Sequence, residues 1–368
     1  MTDKNKHIKA IISGGGTGGH IFPALAIADE IKRRYPDAEI MFVGAKGRME
    51  MEKVPKAGYP IEALWISGIN RKKMWKNVSF PFKLMSSLWK AQRIINKFQP
   101  DFVVGTGGFA SGPLLYMAQK KGIPTFIQEQ NSYPGITNKL LAKKAEKIYT
   151  AYDGLERFFD LSKTLKTGNP VRKDIFETTG NKAEAYKKFG LQDNKKTILS
   201  IGGSLGARPV NEAIKSIVNQ LKAHDYQLLW QTGKNDYELY HKYNSEQVKV
   251  VPFITGMKEA YSIADLIVSR AGAGTISELS ILGKPVILIP SPYVAEDHQS
   301  KNAQALAKNE AAIMIKEGEL KKELWKNIQN VFSNNEIAEK LSKNIKKMAQ
   351  PNATKNIVED ILNYIDNK

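Results

Sequence analysis

The sequence predicts an α/β protein of two halves, each a doubly wound parallel sheet, and three observations carry that expectation. Apolar runs without internal polar alternation recur at 8–12, 40–43, 102–104, 125–127, 197–201, 227–230, 248–253, 266–268 and 286–289. Runs of this kind, separated by helical stretches, describe parallel strands covered on both faces. The pattern breaks at 161–172, where Thr167-Gly168-Asn169-Pro170 interrupts it. Three glycine-rich turns also follow apolar runs: Gly14-Gly15-Gly16-Thr17-Gly18-Gly19-His20, Gly105-Thr106-Gly107-Gly108-Phe109 and Gly202-Gly203-Ser204-Leu205-Gly206-Ala207-Arg208. Such a turn lets backbone N–H groups approach an anion at the positive end of a helix. Two such sheets facing each other would set the three turns on opposite walls of one cleft.

Along the chain, the apolar run at 6–13 is too short for a signal peptide, and no stretch of about 18 apolar residues could span a bilayer. The first glycine turn satisfies the dinucleotide fingerprint with Gly14, Gly16 and Gly19. That fingerprint needs an acid at the end of the second strand to hold a ribose, and the run at 40–43 ends instead in Gly44-Ala45. No turn carries the Gly-Lys-Ser/Thr of a Walker NTPase. Between positions 68 and 98 lie Arg71, Lys72, Lys73, Lys76, Lys83, Lys90, Arg93 and Lys97, with no acidic residue and with Trp75, Phe80, Phe82 and Trp89 among them. Basic residues beside interfacial aromatics describe a surface that lies on an anionic membrane; a solvated amphipathic helix is the plainer alternative. The helical stretch ending at Gly190 opens the second half, the Lys/Glu-rich stretch 317–348 reads as helical, and Pro351 starts a final helix.

Composition narrows the function. With 368 residues and 42% apolar content the chain can bury two cores, and without cysteine it has no disulfide, thiolate nucleophile or cysteine metal site. A formal charge of +18 attracts nucleic acid, anionic lipid or an anionic substrate. No helix-turn-helix, zinc finger or RNA-binding signature accompanies it, so nucleic acid is not expected as a partner. No Asp-x-Asp and no His/Glu pair at ligand spacing occurs, so neither a metal nor a cofactor is expected.

The densest signal of the second half is Ser269-Arg270-Ala271-Gly272-Ala273-Gly274-Thr275-Ile276-Ser277-Glu278, directly after an apolar run. Small residues permit close backbone approach, and a carboxylate one turn into the following helix can accept both hydroxyls of a ribose. The same acid could serve only as a favourable residue near the helix start. Asp297-His298-Gln299 adds polar groups suited to a sugar.

Together with Gln128-Glu129-Gln130-Asn131, Gly168-Asn169-Pro170-Val171-Arg172 and the three glycine turns, these motifs resemble the MurG family of peptidoglycan glycosyltransferases, family 28 of the GT-B type, over nearly the whole chain. The resemblance implies two Rossmann-like domains: 1–165 for the lipid acceptor and the membrane, with a terminal helix at 351–368 packing back onto it, and 166–350 for UDP-N-acetylglucosamine. It implies transfer of N-acetylglucosamine to the 4-hydroxyl of the muramyl sugar in lipid I, giving lipid II, at the cytoplasmic face of the cell membrane, with cell-wall-synthesis proteins as possible partners. Uridine contact falls to Ile254 and to the turn of Ala273, Gly274, Thr275, Ile276 and Ser277, ribose to Glu278, diphosphate to Ser204 and Arg172, and sugar to Gln299 and Asn131, with Thr17, Gly18 and Gly19 lining the same cleft. Gln128 stands where many relatives have His, and Leu205 where Gln is common.

The α-linked donor and β-linked product of that family imply one inverting displacement, which needs a base for the acceptor hydroxyl. Of the five histidines only His20 ends a glycine turn at a helix start, where an imidazole takes a proton near neutral pH. Helix capping or ligand positioning is its alternative role, and Glu129 is the second candidate base. Leaving-group charge is met by N–H groups and helix dipoles at the turns near Ser204 and Gly274 and by Arg172. Two facing acids for glycoside hydrolysis are not singled out. Another GT-B enzyme, such as a glycolipid synthase or UDP-N-acetylglucosamine 2-epimerase, and a non-catalytic nucleotide-sugar-binding protein are the competing readings.

Overall fold

The computed structural model describes residues 7–68, 74–171, 175, 181–203, 206–294 and 297–368. They fall into two compact units, 1–172 with 350–368, and 173–349.

The first unit is built on β1 (Lys9–Gly14), α1 (Gly18–Arg34), β2 (Glu39–Ala45), α2 (Glu50–Lys56), β3 (Ile61–Leu64), α3 (Phe80–Phe98), β4 (Phe102–Gly107), α4 (Ser111–Lys120), β5 (Thr125–Glu129), α5 (Ile136–Ala142), β6 (Lys147–Thr150) and β7 (Thr164–Lys166). The strands form one sheet in the order β3-β2-β1-β4-β5-β6-β7, every pair parallel. Alternation along each strand sends side chains to two cores. Ala10, Ile12, Phe102 and Val104 pack with α1 residues such as Ile27 and Ile31. Ile11 and Val103 pack on the other face with Ala91 and Ile94 of α3 and Leu114 and Leu115 of α4. Both faces are dry, which is why these strands read as continuous apolar runs.

The second unit runs α6 (Lys182–Phe189), β8 (Thr197–Ile201), α7 (Arg208–Ala223), β9 (Gln227–Gln231), α8 (Tyr237–Tyr240), β10 (Val248–Val251), α9 (Met257–Ile263), β11 (Leu266–Ser269), α10 (Ala273–Leu282), β12 (Val286–Leu288), α11 (His298–Lys308), β13 (Ile313–Met314), α12 (Leu320–Ser333) and α13 (Asn335–Lys347). Its parallel sheet has the order β10-β9-β8-β11-β12-β13. The Lys/Glu-rich stretch is two helices, because Asn334 ends one and caps the next, its side chain accepting from the N–H groups of Glu336 and Ile337.

A last helix, α14 (Ala353–Asp366), belongs to the first unit. Ile357, Val358, Ile361 and Leu362 complete the core under α1, each worth at most about 1.5–3 kcal/mol as buried apolar surface. Tyr149 of β6 donates a hydrogen bond to Asp360 at 2.8 Å, and burial, reinforced by the charge of Asp360 and this bond, drives its phenol far above the ordinary range.

In each sheet the direction of winding reverses once, between β1 and β4 and between β8 and β11. Ligands of open α/β sheets bind outside the carboxyl ends of the strands at such reversals. The glycine turns follow β1, β4 and β8, and the 270–274 turn follows β11.

Candidate active site

At the reversal of the first sheet the two glycine turns are locked by the protein itself. The Gly15 N–H donates to the Gly107 carbonyl at 3.2 Å. The Gly16 N–H donates to Glu50 Oε2 at 2.8 Å, and Glu50 Oε1 accepts from the Ala45 N–H at 2.9 Å. Glu50, 1% exposed at the start of α2, thus delivers a carboxylate to the end of β2, where the sequence alone shows only Gly44-Ala45. It fits because Gly15 has no side chain; a Cβ there would sit 2.2 Å from Glu50 Oε1. The N–H groups of Gly15 and Gly16, expected to face a ligand anion, therefore serve internal acceptors. Beyond them α1 opens at Gly18 behind an extended Thr17 that makes no side-chain cap, with no acid in its first turn.

His20 lies in that first turn, half-buried. Its Nδ1 is 2.9 Å from the Thr106 carbonyl and 2.9 Å from Gln130 Oε1. Gln130 must present its oxygen to the ring, because its Nε2 donates to the carbonyls of Thr106 at 2.7 Å and Gln128 at 3.1 Å. With two acceptors facing it, Nδ1 carries the proton, and the neutral ring has its lone pair on Nε2. The ring approaches closely because position 107 is glycine; at φ +102° a Cβ would come within 2.6 Å of Nδ1. Thr106 Oγ1 donates to the His20 carbonyl at 2.7 Å, fixing the backbone below. Behind Gln130 the amides continue inward: its Nε2 also meets Gln128 Oε1, Gln128 donates to Asn169 at 2.9 Å, and Asn169 donates to the Gln130 carbonyl at 3.1 Å.

Glu129, at the end of β5, points into the loop that follows. Oε1 accepts from the backbone and side-chain amides of Asn131 at 3.0 and 3.2 Å, and Oε2 from the Gly135 N–H at 3.1 Å and Asn138 at 2.8 Å. Four donors on two buried oxygens make it the organiser of the 130–138 segment, and Asn131 is one of the residues it orients.

At the reversal of the second sheet, α10 starts behind Gly272 with no side-chain cap and no acid in its first turn. Ala273 and Ile276 are buried in the core, whereas Gly274, Thr275, Ser277 and Glu278 are half-buried. The Ile276 N–H donates to the Gly272 carbonyl at 2.9 Å. Ser277 Oγ donates back to the Ala273 carbonyl at 3.0 Å. Glu278 Oε2 accepts from the hydroxyl of Tyr261, a fully buried side chain of α9, at 3.1 Å. Ile254 is also buried, and its N–H donates to Gln231 Oε1 at 2.9 Å. Gln299 Oε1 accepts from the Ser291 N–H at 2.9 Å. Arg270 is held inside the unit, paired with Glu317 and donating to the Ile289 carbonyl at 3.1 Å.

Arg172, Ser204 and Leu205 lie outside the described residues, as do Arg71, Lys72, Lys73 and the Lys76 side chain. Within the described residues, α3 turns Ser87, Ala91, Ile94 and Ile95 to the core and leaves Phe82, Met85 and Trp89 at 65–70% exposed. Trp75 is exposed as well, whereas Phe80 packs against the core and only half faces out. Lys90 pairs with Glu62 at 2.9 Å, and Arg93 lies 5.8 Å from the centre of the Trp89 ring.

Sequence reasoning gave no role to Glu50, Gln130, Gln231 or Tyr261. Glu50 left a signal as an acid at a helix start close behind β2, and Gln130 as a member of the 128–131 motif.

Residues 10–150 match the glycosyltransferase family 28 N-terminal domain and residues 197–357 the family 28 C-terminal domain. The chain is 54% identical over 98% of its length, and 99% of the relative's, to a protein of Christiangramia forsetii named UDP-N-acetylglucosamine–N-acetylmuramyl-(pentapeptide) pyrophosphoryl-undecaprenol N-acetylglucosamine transferase. A protein of the same name from Flavobacterium psychrophilum is 52% identical, covering 98% of both chains. Among solved structures, Acinetobacter baumannii MurG superposes with a TM-score of 0.76 at 27% identity, covering 97% of this chain and all of its own.

Proposed function

The chain belongs to glycosyltransferase family 28, and from that premise we propose that it moves N-acetylglucosamine from its UDP donor to the 4-hydroxyl of the muramyl sugar in lipid I, giving lipid II. It is a UDP-N-acetylglucosamine-dependent glycosyltransferase of the GT-B fold. The observation that carries the reading is the 54% identity to a transferase of that specificity over 98% of the chain.

The displacement inverts the anomeric carbon. The His20 ring, with Nδ1–H held by Thr106 and Gln130, supports the base's role because Nε2 is then the proton acceptor for the sugar hydroxyl. Glu129 has its lone pairs engaged by four donors and acts by shaping the acceptor segment. In the second unit the start of α10 directs a positive dipole end and uncapped N–H groups toward the departing diphosphate, with Glu278 on the ribose. Arg172 and Ser204 complete the diphosphate contacts, and Gln299 and Asn131 meet the sugar. The reaction uses no metal, a reading supported by the lack of any Asp-x-Asp sequence.

The lipid acceptor draws the enzyme to the anionic membrane surface through the basic segment 71–76 and the outward face of α3, where other cell-wall-synthesis proteins are its neighbours. Among the described residues, no helix is long and apolar enough to cross a membrane.

The test is incubation of the purified protein with UDP-N-acetylglucosamine and a lipid I analogue in EDTA. A disaccharide-lipid product with a β linkage is expected. Absence of product with or without added magnesium overturns the reaction, and product only with magnesium overturns its metal independence.

A further inference from the structure

We propose that Gln231 is a positioning residue that joins the nucleoside and diphosphate parts of the donor site into one piece, an inference that rests on the nucleotide-sugar reading above. The strand order puts β9 between β10 and β8, so its last residue sits between the loops that follow both neighbours. Gln231 is that residue, and it is 4% exposed.

Its side-chain amide spans the two loops. Oε1 accepts from the Ile254 N–H at 2.9 Å, and Nε2 donates to the Gly203 carbonyl at 3.1 Å. One partner can only donate and the other only accept, so the amide has a single orientation. The Gly203 carbonyl also accepts from the Gly206 N–H at 3.1 Å. The platform below is rigid: Thr232 donates its N–H to Val251 at 3.0 Å, and buried Asn211 bridges the Thr232 carbonyl at 2.9 Å and the Trp230 indole at 3.0 Å. A shift of either loop must therefore be felt at the other through one amide.

The two ends of that amide can be separated chemically. A glutamate at this position still accepts from Ile254 but sets a second oxygen, without a proton, against the Gly203 carbonyl. A leucine breaks both links. Calorimetry with uridine, UMP and UDP on the full chain reads the difference. For Gln231→Glu we expect uridine affinity within about 3-fold of the parent and UDP affinity lower by about 10-fold or more, the scale of one lost buried hydrogen bond. For Gln231→Leu both should fall.

An unchanged ratio of UDP to uridine affinity in folded Gln231→Glu, even with a lower melting temperature, reduces Gln231 to ordinary packing and overturns the proposal. Absence of UDP binding by the parent overturns the nucleotide reading itself. Should the variants fail to fold, hydrogen exchange on the parent decides: uridine alone must protect the Gly206 amide as well as that of Ile254. Protection confined to Ile254 overturns the coupling.

Discussion

At the scale of single residues, what separates His20 from the other histidines is its surroundings. Two acceptors at Nδ1 fix the tautomer, and the side-chain partner is a neutral amide, so the ring is oriented without an added carboxylate. Replacement by glutamine keeps a polar side chain but cannot take a proton. His20→Gln should lower turnover by about 10²-fold or more while leaving UDP affinity unchanged; near-normal turnover at saturating substrates would remove His20 from the base's role. Glu278 makes the complementary case, since its effect should appear in binding. Glu278→Ala should weaken UDP by roughly 1.5–3 kcal/mol, the range for a hydrogen bond to a charged acceptor, and unchanged calorimetric affinity in a folded variant would take it off the ribose. Both residues were visible in the sequence because each sits inside a local motif of small residues. The partners of Glu50 and Gln130 were not, because the bonds to Gly16 and His20 close over 34 and 110 residues, and the local cues, an acid at a helix start and an amide in the 128–131 motif, do not name so distant a partner.

At the scale of elements, the strands that line the two reversals were legible because burial on both faces leaves them uniformly apolar. β3, β7 and β13 lie at sheet edges, where short, partly polar segments such as Ile-Glu-Ala-Leu suffice, and β6 is nearly as short, so no apolar run marks them. The docking of α14 rests on more than its apolar face. Glu30 of α1, 5% exposed, accepts from Arg33 at 2.6 and 2.7 Å and from Arg34 at 2.9 Å. Arg34 in turn donates to the Lys355 carbonyl at 3.1 Å and lies 3.6 Å from Glu359. The Arg33 hydrogen bonds outweigh the opposing effect of burial and, with Arg34, hold the Glu30 carboxyl near pKa 2, below its ordinary 4.5. A lowered folded-state pKa means that this contribution is complete above about pH 4.5 and is lost as the pH falls toward 2. Melting temperature followed across that window should therefore drop more steeply for the parent than for Glu30→Gln. Equal slopes would show that the cluster contributes nothing to acid stability.

At the scale of the whole molecule, a charge of +18 draws the chain toward any polyanion and cannot choose among them. Choice requires a surface that only one of them satisfies, and the outward side of α3 is the candidate we propose for it. Its exposed Phe82, Met85 and Trp89 follow the helical period opposite the buried Ser87, Ala91 and Ile94, with Lys83, Lys90 and Arg93 on the same helix. An anionic bilayer offers both charge at long range and an apolar interior for the rings, whereas nucleic acid offers the first without the second. The two attractions are separable. Salt screens the charge and should lower the parent's binding to anionic vesicles progressively, while Phe82→Ser combined with Trp89→Ser should lower it by about 10-fold or more even at low salt, through lost apolar insertion. Turnover of a short-chain soluble acceptor should be unchanged in the double variant, because these side chains lie on the far side of α3 from the sheet core. Co-sedimentation equal to the parent's at low salt would make this face a solvated one and place the membrane contact elsewhere on the basic surface.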